Sequence, residues 1–220
     1  MRSGPLALRF EELPPTLPIF PLPGVLLLPR GKLPLNIFEP RYLAMTERAM
    51  AQGRLIGMIQ PQEGAGDAGD PPVYRTGCAG RIVEFAETPD GRFLITLKGV
   101  ARFDIAREPA REELFRQVVP DWQAWRGDLE EDEENVDRER MVAALGPFFE
   151  RHGITAESDV LKSAPVEHLV NSLAMACPFS PREKQALLEA RRTAERAKIL
   201  TALVEMSVAS NVAPGGATRN

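Results

Sequence analysis

Residues 81–98 read Arg-Ile-Val-Glu-Phe-Ala-Glu-Thr-Pro-Asp-Gly-Arg-Phe-Leu-Ile-Thr-Leu-Lys. Ile82, Val83 and Phe85 lead into Pro89-Asp90-Gly91, and Phe93, Ile95 and Leu97 leave it in alternation with Leu94, Thr96 and Lys98. A period of two next to a Pro-Asp-Gly turn predicts an antiparallel hairpin with one face turned to a core. Downstream, Gly99 predicts a second turn, with two further strands over 101–106 and 115–119. Upstream, residues 61–72 interleave Gly64, Gly66 and Gly69 with Asp67 and Asp70, which predicts a long loop, and 54–60 reads as another strand.

Further upstream the prolines decide the reading. Eight of the 20 prolines fall at positions 14, 15, 18, 21, 23, 29, 34 and 40. They leave pieces too short for helices but suited to strands: 17–22, 25–28 and 32–38. Proline cannot donate to a ladder, so these pieces belong at sheet edges, strand ends or tight corners, as in a bent sheet or barrel. After Phe38, Pro40 suits a first helical turn, and Tyr42, Met45, Ala49 and Met50 recur at helical spacing until Gly53. The first 120 residues are thus read as largely β, with one inserted helix.

Beyond residue 120 the period changes. Seven of the ten residues 128–137 are acidic, read as a solvated linker or the first turn of a helix. Val166, Leu169, Val170, Leu173, Ala174 and Cys177 form a helical stripe between Pro165 and Pro178. Ser180-Pro181-Arg182-Glu183 has the pattern of a capping box, opening a helix through Leu188, and Ala197, Leu200, Val204 and Val208 mark a last helix. The fold class expected is α+β: a β-rich part over 15–121, an acidic linker or helix start over 122–136 and a helical part over 137–209, with 1–14 and 210–220 loose.

Composition narrows the function. The chain has 220 residues, 44% of them hydrophobic, and a net charge of -4, enough apolar content for a real core and no bulk electrostatic reason to bind nucleic acid or anionic membrane. Cys78 and Cys177 lie far apart with no CxxC, which suits free thiols in a reducing compartment, and no apolar run approaches the ~18 residues of a membrane span. A cytoplasmic protein is expected.

Leu17-Pro18-Ile19-Phe20-Pro21-Leu22-Pro23-Gly24, followed by Leu33-Pro34-Leu35-Asn36-Ile37-Phe38-Glu39-Pro40-Arg41-Tyr42, resembles the opening of the Lon protease N-terminal domain, the substrate-binding domain of ATP-dependent protease La. Gly77-Cys78-Ala79-Gly80-Arg81-Ile82, Asp90-Gly91-Arg92 and Leu97 to Phe103 continue the resemblance in order. Leu169 to Met175 and Ser180 to Ala190 are similar to the helical half of short bacterial members that lack the ATPase and protease domains. The resemblance covers roughly 15–209. It implies a PUA-like bent β barrel or pseudobarrel followed by a helical bundle, and a role in binding protein or peptide segments. Gly146-Pro147 departs from it, and a kink or break is expected there.

No catalytic constellation is legible. Six residues separate Gly24 from Gly31-Lys32, and Leu33 stands where a phosphate loop would carry its hydroxyl. Lys162 and Ser163 are adjacent near a helix start, which is no recognisable dyad. His152, His168 and Cys177 lack the spaced pairs of a structural zinc site. No cofactor and no metal are expected. Arg75, Arg81, Arg92 and Arg102 are countered by Glu84, Glu87, Asp90 and Asp104, which argues against RNA. The function expected is a non-catalytic module for exposed apolar or unfolded protein segments, ahead of a peptidase-related enzyme or an RNA-binding module. Val25 to Leu28 is the most apolar run, and it has two readings. One is a docking face through Leu26 and Leu28, the other a strand buried on both sides.

Overall fold

The computed structural model describes residues 8–62, 70–130, 136–154, 161 and 163–209. Residues 131–135 of the acidic stretch, most of the glycine-rich loop, 155–160, Lys162 and both chain ends lie outside these. The proline-punctuated half forms strands β1 Leu17–Pro21, β2 Lys32–Ile37, β3 Leu55–Ile59, β4 Thr76–Glu87, β5 Phe93–Arg107 and β6 Arg116–Asp121, with helix α1 Pro40–Ala51 between β2 and β3. The second half contributes helices α2 Arg138–His152, α3 Val166–Ala176, α4 Pro181–Glu189 and α5 Thr193–Ala209. The class is α+β, as the sequence pattern predicts.

The local signals act where they were read. Pro40 starts α1, where no N–H is required, and Gly53 ends it at φ 80°. Ser180 Oγ accepts from the Glu183 amide at 3.3 Å while the Glu183 carboxylate accepts from the Ser180 amide at 2.7 Å, the reciprocal capping box that opens α4. Asp137 caps α2 by accepting from the Arg140 amide at 3.1 Å, and Gly153 closes it in the left-handed region. Pro147 lies inside α2 without breaking it. Gly146 and Pro147 face solvent, where the carbonyl that Pro147 leaves unpaired can meet water, and buried Met141, Leu145, Phe148 and Phe149 hold the helix on either side.

The sheet runs β2-β5-β4-β3-β1-β6, and β6 also pairs with β5. The pairings β5-β4-β3-β1-β6 therefore form a closed circuit, with β2 attached outside it along β5. β1 and β3 are parallel and the other pairs antiparallel. A core of Leu17, Ile19, Leu55, Ile59, Ala79, Ala101, Phe103 and Val118 fills the circuit, closed by Trp122. The Phe103 ring takes the space that side chains at Gly57 and Gly77 would need, so the interior is packed solid. Residues 8–13, expected to be loose, contribute a 3-10 turn at Phe10–Glu12, and Leu8, Phe10 and Leu13 pack on this core.

The expected turn at Gly99 does not exist. β5 continues through it for 15 residues. The glycine serves close approach instead: residues 28–31 cross the strand there, Arg30 N–H donating to the Gly99 carbonyl at 2.9 Å and Gly99 N–H to the Gly31 carbonyl at 2.8 Å. A Cβ at Gly99 would strike the Leu28 carbonyl oxygen.

A larger core joins the two halves. Phe20, Leu26, Leu27, Leu28, Ile37, Ile82, Phe93, Ile95 and Leu97 pack with Met141, Phe148, Val170, Leu173, Leu187 and Leu200. Alongside it runs a buried polar seam centred on α4. Arg102 of β5, 3% exposed, donates from Nη1 to the carbonyls of Leu188 and Ala190 and from Nη2 to that of Arg191 at 3.1 Å. Its other donors meet Asp128 at 2.6 and 2.9 Å, and its plane lies 4.0 Å over the Trp125 ring, both from the 3-10 segment Gln123–Leu129. Arg196 of α5 donates to the Leu187 carbonyl at 2.9 Å, the Ala190 carbonyl at 3.2 Å and Asn171 Oδ1 at 2.9 Å. Asn171 passes the chain on, donating to the Pro29 carbonyl at 3.1 Å. Burial, and then neighbouring Arg102, pulls Arg196 down to about 10, which leaves it charged at neutral pH. The start of α4 is held as well: Gln60 donates to the Pro181 carbonyl at 3.0 Å, Lys184 Nζ to the Gly24 carbonyl at 2.8 Å and Gln185 to the Thr76 carbonyl at 3.2 Å.

Two stability predictions result. Gly99→Ala loses about 3 kcal/mol, because backbone must move to admit the methyl group. Gly91→Ala, at φ 78° in open space, loses only about 1 kcal/mol. Arg102→Met strands Asp128 as a buried lone charge and loses about 3–5 kcal/mol, whereas Arg102→Met with Asp128→Leu loses less. Urea unfolding followed by tryptophan fluorescence measures all four.

Candidate functional site

Leu26 and Leu28, the docking residues expected from sequence, are core residues at 3% and 0% exposure, so they present no docking face. Residues 25–28 are not a strand either. They are a length of chain trapped between sheet and helices: Leu27 lies against Gly80, Leu28 over Gly99, and Gly31 against the Met175 sulfur of α3. Arg30, at φ 65°, reaches across to Glu167 of α3 and to the Glu130 carbonyl. With Lys184 on the Gly24 carbonyl, the stretch from Gly24 to Lys32 is clamped by helices at both ends and forms no open cradle for phosphate.

The other candidates are not brought together. The His152 ring lies 4.3 Å from that of Phe148 at the end of α2, His168 is exposed on α3, and Cys177 is buried below α3. Among the described residues no group of histidine, cysteine or carboxylate side chains could hold a metal. Ser163 is exposed, and Lys162 lies outside the described residues. Burial pushes the Cys78 thiol far above its ordinary range and the Cys177 thiol up to about 11. No helix among the described residues is long and apolar enough to cross a membrane.

The Phe38 to Tyr42 corner divides between packing and exposure. Tyr42 is buried with its ring 4.1 Å from Phe20, and desolvation raises its phenol. Phe38 stands 62% exposed beside it.

A shallow hollow lies on the sheet formed by β2, β5 and β4. Their inner face sends Ile37, Phe93, Ile95, Leu97 and Ile82 into the larger core. The outer face bears this hollow of about 480 Å³, where Pro34, Asn36, Glu84, Ala86, Leu94 and Thr96 project. Leu94 is 45% exposed, and on the inner side near the hairpin end Phe85, 43% exposed, packs its ring 5.0 Å from that of Phe93 at a tilt of 55°. Thr96 Oγ1 donates to Glu84 at 2.6 Å across the strands and fixes the floor. Sequence reasoning missed this face, although the signal was present: Leu94 is the one apolar member of the alternate set Leu94, Thr96, Lys98.

A closed strand circuit with a packed interior, backed by helices and carrying a shallow hollow on the outer side of its sheet, defines an α+β module. Residues 16–205 match the ATP-dependent protease La (LON) substrate-binding domain, and the chain belongs to that family. The Lon protease of Heliobacterium modesticaldum is 27% identical over 201 residues, which are 86% of this chain and 23% of that protein. The Lon protease of Flavobacterium johnsoniae is 27% identical over 191 residues, 85% and 23%. The chain thus spans about a quarter of the length of these curated relatives. Among solved structures, the Lon N-terminal domain protein from Xanthomonas campestris superposes with a TM-score of 0.61 at 24% identity, covering 85% of this chain and 97% of that one. The N-terminal domain of the Mycobacterium avium complex Lon protease gives 0.61 at 15% identity, covering 89% and 98%. Both share the fold.

The thiols provide a check on burial. At pH 8 neither Cys78 nor Cys177 reacts with Ellman's reagent in the folded protein, and both react in denaturant; fast reaction of either without denaturant contradicts the packing described.

Proposed function

We propose that this chain is a non-catalytic, cytoplasmic substrate-recognition module that binds exposed apolar or unfolded segments of other proteins on the outer face of β2-β5-β4. The closed circuit of strands supports the PUA-like bent barrel implied by the resemblance, and the helical half serves as its backing. The observation that carries the reading is the half-exposed Leu94 in a hollow on a sheet whose other face sends Ile37, Ile82, Phe93, Ile95 and Leu97 into the core. A polypeptide laid there buries apolar surface without disturbing any packed residue. Membership of the substrate-binding family supports a protein ligand. RNA has less support: Arg102 is buried on Asp128, Arg92 pairs with Asp90 at 2.5 Å, and Arg75 lies 3.7 Å from Asp104.

Fluorescence anisotropy with labelled, chemically unfolded casein tests the reading. Wild-type protein binds and does not cleave, with or without ATP. Leu94→Asp, which leaves the thermal midpoint unchanged, weakens binding about tenfold. Unchanged affinity in Leu94→Asp refutes this site, and ATP-dependent turnover refutes the non-catalytic role.

A further inference from the structure

The pairing register arranges the outer face of β2-β5-β4 in rows. Lys32 is opposite Lys98, and Lys98 is opposite Arg81, so three cationic residues lie side by side across three strands. Pro34, Thr96 and Glu84 form the next row, and Asn36, Leu94 and Ala86 the one after it. Directly opposed residues of an antiparallel pair project from the same face roughly 5 Å apart, and like charges placed so repel each other. The repulsion cannot be relieved by a one-residue slip of the register. A shift of one residue would turn Ile37, Ile95 and Leu97 out of the core.

Lys32 and Lys98 are exposed, and neither forms an ion pair among the described residues. Glu84 is the one carboxylate in these three rows, and it accepts a hydrogen bond from Thr96. Lys32 and Lys98 therefore set positive charge at one end of the apolar hollow. That charge stands out in a chain whose net charge is -4.

We propose that the hollow selects extended polypeptide segments in which an apolar side chain is followed or preceded by a carboxylate, the apolar group resting on Leu94 and the carboxylate lying between Lys32 and Lys98. Lys98 is four positions along β5 from Leu94, about 13 Å at the rise of an extended strand. A segment running along the strands meets both features when its apolar and acidic residues are about four positions apart. The inference rests on the proposed function above and deepens it: charge sets which apolar segments are held. Carboxylates on the ligand also relieve the repulsion of the lysine row, so part of the selectivity is stored in the free protein.

The test uses labelled ten-residue peptides with one apolar cluster and, four residues away on either side, an aspartate, an asparagine or a lysine. Anisotropy at low salt gives the aspartate peptide an affinity about five- to tenfold above the asparagine peptide and further above the lysine peptide. Half-molar salt removes the difference. Lys32→Gln with Lys98→Gln abolishes the preference, and Lys32→Glu with Lys98→Glu reverses it, while melting temperatures confirm that each variant is folded. Three peptides bound within twofold of one another by wild type overturn the charge selection and leave apolar recognition standing. A preference for aspartate that survives the glutamate variant overturns the placement. Failure of every peptide, and of unfolded casein, overturns both readings, and single-stranded RNA bound through the same lysines replaces them with a different partner.

Discussion

The carbonyl end of α4 has no glycine to turn its last acceptors; the guanidiniums of Arg102 and Arg196 donate to them instead. Helix ends leave several carbonyls unpaired, and burying them without donors would cost more than nine residues of helix can offset. Arg102 supplies donors from the longest strand of the sheet and Arg196 from the next helix, so the position of α4 is fixed by both halves at once. Asp128 balances one of the two charges, and Trp125 covers its face. A lysine could not replace either arginine, because only a planar fork reaches several carbonyls together with the Asp128 carboxylate, for Arg102, or the Asn171 amide oxygen, for Arg196. The polar seam gives this interface a unique alignment that the apolar core beside it, being non-directional, could not impose.

From that alignment comes the division of labour between the faces of β2-β5-β4. β5 carries Arg102 in the circuit and continues outward to pair with both β2 and β4. Once Arg102 is locked to α4, the inner face of the outer strands is pressed onto the helices and the segment 25–31 is caught between them. No described residue of the helical half lines the hollow on the outer face, where Leu94 is exposed.

Much of this was legible in the sequence, and the failures have a common cause. The hairpin about Asp90-Gly91, the start of α1 at Pro40 and the capping box at Ser180 depend on neighbours within a few residues, and all three are present. Gly99 was misread because a glycine in a strand signals either a turn or a close backbone approach, and the approaching chain is some 70 residues away in sequence. Leu26 and Leu28 were read as a possible surface for the same reason: a short apolar run does not say what covers it, and here the cover comes from α3 and α4. Asp128 was one of seven acids in a run that reads as solvated, yet it is the buried counter-ion of Arg102. Each failure lies where a long-range contact assigns a residue its work.

The site was hidden more deeply. Lys32, Arg81 and Lys98 are unremarkable singly and far apart in the chain; only the register makes them a row. A lysine on the outer face of a strand ordinarily protects the sheet from pairing with other chains, and Pro34 at the edge strand does the same. Lys32 and Lys98 stand side by side with no ion pair among the described residues, and on the proposed reading a carboxylate of the ligand lies between them. Because the inner face holds the register independently, the repulsion of the two lysines can be kept on the surface without threatening the fold. The same separation lets the outer residues vary to suit a ligand while α4, Arg102 and the packed core stay as they are.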